Sequence, residues 1–376
     1  MESKVISPQH VPGYTMPTMV YFGRGSLAAL AELKLGNRVV LVCGRHFRDS
    51  AFFQLVTNVY LSNVLVYPTD VRQSNADSIN RLIDFCRQAG CDGIVAIGGG
   101  TVMDSAKCAA ALTNAGGYIE AYLSGNQSVT QPGVPLIAVP TTAGTGSEVT
   151  PWATVWGAAK KYSLAASTMF PSLAIVDPAL TDSLSPITTA HAGCDALVQA
   201  VEAYWSINHN PVSDQYALEA IPTIMRHLEP AAGGLDITAR DGMMWGALMS
   251  GLAFSNTQTT ICHAVSYPLS ARWQVAHGQA VVVTLPLFIE YVVPALPPDR
   301  QRSLLQAFGA NNIPELANLV RNLIHRLGLV SKLSELGITA DDLGTIATEA
   351  LTAERANNTP RVPTISELET LLISAL

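Results

Sequence analysis

The sequence predicts two domains: a parallel α/β domain over residues 1–185 and an all-α domain over residues 186–376. Three observations carry this. In the first half, short apolar, β-branched runs alternate with helical stretches. From about Pro186 the strands stop and apolar residues recur at helical spacing. A chain of 376 residues is also too long for one ordinary core and suits two.

In the first domain NRVVLVCG (37–44) and CDGIVAIGGG (91–100) read as buried strands, with NADSINRLIDFCRQAG (75–90) as the helix before the second. CDGIVAI runs into Gly98, Gly99 and Gly100, then into the helix VMDSAKCAAAL. Glycines at such a turn let the backbone approach a ligand closely. The free N–H groups of the helix start, with its dipole, favour phosphate. Thr101 is placed to cap that helix and to donate to phosphate. A tight turn with no ligand is the competing reading. A further apolar strand, VPLIAVP, leads into Thr141, Thr142, Thr145 and Ser147. These hydroxyls without bulk suit a cofactor cleft at the carboxyl ends of parallel strands, although an ordinary Ser/Thr/Gly loop has the same composition.

In the second domain VSDQYALEAIPTIMRHLEP, DGMMWGALMSGLAFSNT and PELANLVRNLIHRLG are predicted helices. Asp195 and Gln199 stand four apart in CDALVQAVEAYWS, so both leave one helix face. His263 and His277 lie fourteen apart in an apolar, weakly charged segment. One carboxylate, one amide and two imidazoles suit a single first-row divalent metal. Any one of the four alone reads better as a satisfied core or surface group. Between the halves lies the natural place for catalysis.

Together GGGTVMDSAK, PTTAGTGSEVT, AIVDPAL, CDALVQAVEAY and HAVSYPL…HGQAVVVTLP resemble the iron-containing (group III) alcohol dehydrogenases. The resemblance runs from TMVYFGRGSL to about Pro286. It implies a dehydroquinate synthase-like fold: a Rossmann-like nucleotide-binding domain followed by a helical metal-binding domain. It further implies hydride transfer between NAD or NADP and a small aldehyde or alcohol, with Fe²⁺ or Zn²⁺ held by Asp195, Gln199, His263 and His277. Asp104 of GGGTVMDSAK and Lys161 of KKYSL join the implied cofactor site; Lys160 beside it reads as a surface lysine. TMVYFGRG resembles the family's early hairpin strand, a region that helps relatives form a homodimer. TQTTICHAVSY, KKYSL and NPVSDQYALEAI look most like the phosphonoacetaldehyde reductase branch. That substrate needs a cation in the pocket. Arg272, His191 and Lys161 are the candidates, and Gln258 stands where that branch tends to carry Lys.

Two positions depart from the family pattern. Gln199 occupies the usual place of a His, and a carboxamide oxygen is a weaker donor than imidazole for these metals. Tyr267, one turn after His263, occupies the place of a second His that assists proton delivery in many relatives. A Tyr hydroxyl can bond substrate or relay a proton but is a poor base at neutral pH; the alternative is plain packing. Cofactor choice is legible at Gly44, where NAD-preferring relatives carry Asp. Gly44 removes a carboxylate that would repel a 2′-phosphate, and Arg45 follows, which favours NADPH or dual use. Otherwise Arg45 points to solvent.

Composition excludes other classes. The chain is 48% hydrophobic and 14% charged, as suits a compact enzyme. A net charge of −7 with no Lys/Arg run argues against nucleic acid. Six scattered cysteines without CxxC fit reduced thiols in the cytoplasm. MESKVISPQHVPG lacks the apolar core of a secretory signal, and the apolar run 279–297 contains Pro286, Glu290 and Pro294, so no membrane span is expected. Two competing readings stand beside the metal-dependent reductase: a metal-independent reductase of the maleylacetate reductase type, and a nucleotide-binding protein that has lost catalysis.

Overall fold

The computed structural model describes residues 13–33, 35–60, 64–69, 73–157 and 161–376. The N-terminal stretch read for a signal, nearly all of it, and Lys160 lie outside them. Among the described residues the strands are β1 (Met19–Phe22), β2 (Val39–Gly44), β3 (Leu65–Thr69), β4 (Gly93–Gly98), β5 (Leu136–Pro140), β6 (Trp152–Trp156), β7 (Lys161–Ala165) and β8 (Leu173–Val176). Six make one sheet in the order β1-β8-β5-β4-β2-β3, and every pairing in it is parallel. β6 and β7 form a separate antiparallel hairpin.

The unbroken apolar runs of β2, β4 and β5 follow from burial on both sheet faces. Val40, Val42, Ile94 and Ala96 pack into a core with the helices Ala76–Ala89 and Gly100–Leu112. The alternate residues Leu41, Cys43, Val95 and Ile97 point the other way, towards Leu27, Leu30 and Phe47. The Ala76–Ala89 helix begins at an Asn75–Ser78 capping box and stops at Gly90 in the left-handed region. β3 lies on one side of β2 and β4 on the other, so the strand order reverses there. In open parallel sheets such a reversal opens a crevice at the carboxyl ends, here at Gly44 and Gly98.

Ser185, the last residue of the expected first domain, caps the helix Pro186–Trp205. That helix packs with Pro211–Gly233 and Ile237–Thr257. The helical core also takes in Val149, Ala174 and Val176 from the first half, so the two halves share apolar contact. By length and composition the stretch His277–Ala295 could cross a membrane; here it is mostly buried, as helices His277–Val282 and Leu285–Val292 and a short turn. All six cysteines are buried.

β1 differs from the expected hairpin strand. Among the described residues its partner is β8, in parallel, at the sheet edge, because Met19–Phe22 registers on Leu173–Val176. The following Arg24 joins the halves, donating to Asp182 at 2.7 Å and to Asp241 at 2.5 Å.

A closer contact fixes the halves at the cleft. Gly146, at φ 58°, lies on Gly251 of the Ile237–Thr257 helix, and a Cβ on Gly251 would stand 2.8 Å from Gly146 Cα. Neither backbone can yield without parting loop from helix. Gly251→Ala is therefore expected to destabilise by about 1–3 kcal/mol, although alanine is the better helix former. Chemical denaturation checks this; a stabilised variant would show that the loop moves freely.

Candidate active site between sheet and helices

A cleft of about 990 Å³ lies between the helical half and the loops after β4 and β5. Of the residues singled out above, Gly100, Thr101, Asp104, Thr145, Ser147, Lys161, Asp195, Gln199, His263, Tyr267 and His277 line it. Gly44, Arg45, Gly98, Gly99, Thr141 and Thr142 do not. Gly44 ends β2 and Arg45 is exposed just beyond it.

Two details of the glycine turn differ from expectation. Gly99, not Thr101, is the N-cap of the Gly100–Leu112 helix, and no side chain caps it. Thr101 sits inside the first turn, two positions too late to cap. Gly98 is required by packing rather than by a ligand: its Cβ would meet Val102 Cγ2 at 2.5 Å. Gly100 is likewise crowded, with Thr145 Cγ2 at 2.9 Å from such a Cβ.

Ligand atoms of Asp195, His263 and His277 lie within 4.8 Å of one another. Nε2 of His263 is 3.3 Å from Asp195 Oδ1, and Nε2 of His277 is 3.7 Å from it. Gln199, one turn after Asp195 on the same helix, is buried with Oε1 unpartnered. An orphaned amide oxygen beside two imidazoles and a carboxylate is the donor set that a divalent ion satisfies, so these residues fit a metal.

Sequence reasoning missed Glu202, which holds this group together. It is fully buried, seven residues after Asp195 on the same helix face. Its Oε2 accepts from His263 Nδ1 at 2.5 Å. Its Oε1 accepts from Cys262 N at 2.6 Å, Thr260 Oγ1 at 2.9 Å and His263 N at 3.3 Å. Because Nδ1 faces a carboxylate, the Nε2 edge is the one presented to the cluster. A lone acid in the apolar run ALVQAVEAYW was the available signal. Also missed were Lys107 and Arg355. Lys107, fully buried, donates to Thr150 Oγ1 and Trp152 O and so holds the start of β6. Arg355 reaches the cleft from the short helix Glu354–Asn358.

Burial would push the Asp195 and Glu202 carboxyls up, but the imidazoles outweigh it and both lie below the usual carboxylate value. Burial, then Lys161, lowers His277 to about 3, so its imidazole is neutral. Burial, opposed more strongly by Glu202 and Asp195, leaves His263 above its ordinary value. Asp104 accepts from Ser147 Oγ at 2.8 Å and Thr154 N at 2.9 Å, and burial still raises its carboxyl. Burial raises the Tyr267 hydroxyl as well, which keeps it a proton donor. Burial, then Arg355, lowers Lys161 to about 8.

Among the cation candidates Arg272 is paired with Glu349 at the exposed rim, and His191 does not line the cleft. Lys161 does, with Nζ 4.4 Å from the Tyr267 ring centre.

Comparison with known proteins decides the family. The profile for iron-containing alcohol dehydrogenase matches residues 17–178, and that for the C-terminal part of the Fe-containing alcohol dehydrogenase family matches residues 189–376. The chain belongs to the iron-containing alcohol dehydrogenase family. It is an oxidoreductase of the alcohol and aldehyde class. The probable alcohol dehydrogenase EutG of Escherichia coli (strain K12) is 31% identical over 98% of this chain and 95% of its own length. The sulfoacetaldehyde reductase of Bilophila wadsworthia is 30% identical over 80% of this chain and 81% of its own. Among solved structures, sulfoacetaldehyde reductase from Bifidobacterium kashiwanohense in complex with NAD⁺ superposes with a TM-score of 0.91 at 29% identity, covering 96% of this chain and 98% of that one.

In this family member, Glu202→Gln is expected to loosen His263 and to lower affinity for added Zn²⁺ or Fe²⁺ roughly 10–100-fold. Metal retention against a graded chelator measures it. Wild-type retention would mean that His263 is oriented by other contacts.

Proposed function

We propose that this chain reduces a small aldehyde with NAD(P)H and a divalent ion, Fe²⁺ or Zn²⁺, and oxidises the alcohol in reverse. What supports the reading most is the convergence of Asp195, His263, His277 and the unpartnered Gln199 Oε1 beside the glycine turn of β4. Phosphonoacetaldehyde, reduced to 2-hydroxyethylphosphonate, is the aldehyde favoured. Relatives named for sulfoacetaldehyde support it, since both molecules carry an oxyanion beside a two-carbon aldehyde.

The roles divide as follows. Asp195, Gln199, His263 and His277 hold the ion, and Glu202 fixes the His263 ring. First-turn N–H groups at Gly100 and Thr101 receive the cofactor's phosphates. Asp104 ties Ser147 to β6 and keeps the hydroxylic loop against the helix start. When bound, the nicotinamide supplies hydride and the ion supplies electrophilic pull on the carbonyl oxygen. Tyr267, protonated at neutral pH, donates a hydrogen bond to substrate. Phe254 supplies an apolar wall that keeps water from the reacting centre. The reading includes a homodimer, with its contact at the outer edge of β1, where Met19, Tyr21 and Phe22 are exposed. Six buried cysteines, scattered and without a CxxC pair, suit the cytoplasm.

The test is metal analysis on chelator-free protein together with NADPH oxidation over an aldehyde panel. His277→Ala should lose both bound metal and turnover. Full turnover after metal removal would favour the metal-independent alternative, and no turnover of any aldehyde would favour lost catalysis.

Cofactor choice has its own test. Gly44 has φ −79° and its Cβ would clear Val102 by 3.6 Å, so an acid fits there without strain. Gly44→Asp should move preference towards NADH by roughly tenfold, which needs only about 1.4 kcal/mol. If the unaltered enzyme already favours NADH strongly, the reading of Gly44 and Arg45 fails.

A further inference from the structure

We propose that Arg355, with Lys161, is the specificity determinant of this cleft, selecting aldehydes whose far end carries an oxyanion such as phosphonate or sulfonate. The inference rests on the reductase reading above and adds the residues that choose the substrate.

Both cations line the cleft. Arg355 Nη1 donates to Thr259 Oγ1 at 2.7 Å and Nη2 to Ser163 Oγ at 3.0 Å. Two neutral hydroxyls aim the guanidinium without neutralising it. Among the described residues no carboxylate lies within ion-pair distance of Arg355 or Lys161. Arg272, in the same cleft, is by contrast cancelled by Glu349. The two free cations flank one ring: Lys161 Nζ stands 4.4 Å and Arg355 Cζ 5.8 Å from the Tyr267 centre. Like charges held together beside a partly buried wall repel each other, and an anion between them relieves the repulsion. A guanidinium also offers paired N–H donors that match two oxygens of one oxyanion.

The spacing suits a short substrate. Tyr267 follows His263 by four residues, about 6 Å along the helix axis, comparable with the span from the carbonyl oxygen to the oxyanion oxygens of a two-carbon aldehyde. Ser270, a further turn along, lines the cleft with Oγ buried and unpartnered. An aldehyde oxygen at the histidine end would thus leave its anionic end among Lys161, Arg355 and Ser270.

The experiment compares kcat/KM for phosphonoacetaldehyde and sulfoacetaldehyde with that for propanal, a neutral aldehyde of similar size. Wild type should prefer the anionic aldehydes about 100-fold, equivalent to about 2.7 kcal/mol. Arg355→Met should collapse most of that ratio through KM, and Arg355→Lys should restore part of it. In wild type, methylphosphonate should compete with propanal, a measurement that needs no variant. Equal use of propanal and the anionic aldehydes, or no competition by methylphosphonate, overturns this inference and leaves the reductase reading standing. Failure to reduce any of the three with NADPH or NADH overturns the reductase reading and this inference with it.

Discussion

The helical half is organised around one buried carboxylate. Glu202 has no water to solvate it, so protein donors must. It finds them at the start of the Ile261–Trp273 helix, whose N-cap residue Thr260 makes no side-chain cap. The first N–H groups of any helix lack intrahelical partners and carry partial positive charge. Glu202 thus caps from another helix, bonding Cys262 N and His263 N. Thr260 Oγ1 donates to it in turn and accepts from Trp205 Nε1 at 2.7 Å. The contact that starts the helix is also the contact that turns the His263 ring, so stability and site geometry cannot be separated at this residue.

The other wall of the cleft depends on close backbone approach. Gly146 on Gly251 brings the loop after β5 onto the helical half, and Gly98 lets the Gly100–Leu112 helix close down on β4. Lys107 and Asp104, on that helix, reach forward to β6 and to the Ser147 loop. The helix start, the hydroxylic loop and the hairpin are therefore tied together. Small residues here are set by packing at least as much as by a ligand.

That distinction explains what was legible in the sequence. Central strands were readable because burial on both faces demands unbroken apolar runs, as in β2 and β4. Helices were readable from periodicity. Asp195 and Gln199 share a face because four residues make one turn, which is local geometry. Their meeting with His263 and His277 is long-range, and only the resemblance to a family joined them in advance. Glu202 was missed because its role is to satisfy atoms 60 residues away. Arg355 was missed for the same reason: nothing in LTAERANNTP says that this short helix folds over the hydroxyls of Thr259 and Ser163. Capping failed at Thr101 by two positions, because the helix turns in at Gly99 and Thr101 already lies inside its first turn. β1 misled because a strand's partner is not written in the strand itself.

Charge completes the argument. Among the described residues Asp195 is the carboxylate that faces the histidine cluster, since Glu202 is spent on a helix start and on His263. Gln199 contributes a dipole in place of an imidazole, and His277 stays neutral. Across the ring of Tyr267, Lys161 from β7 and Arg355 from the short helix Glu354–Asn358 add two positive charges, neither of which has a carboxylate at ion-pair distance among the described residues. The Lys161–Arg355 end of the cleft is thus electropositive although the chain carries a net charge of −7. A cleft that opposes the sign of its own protein focuses field on small anions and raises their local concentration. In the proposed reading an anionic substrate would meet attraction at its far end as well as the carbonyl-polarising group at its reacting end, with Tyr267 between them, and a neutral aldehyde of the same length would meet only the second.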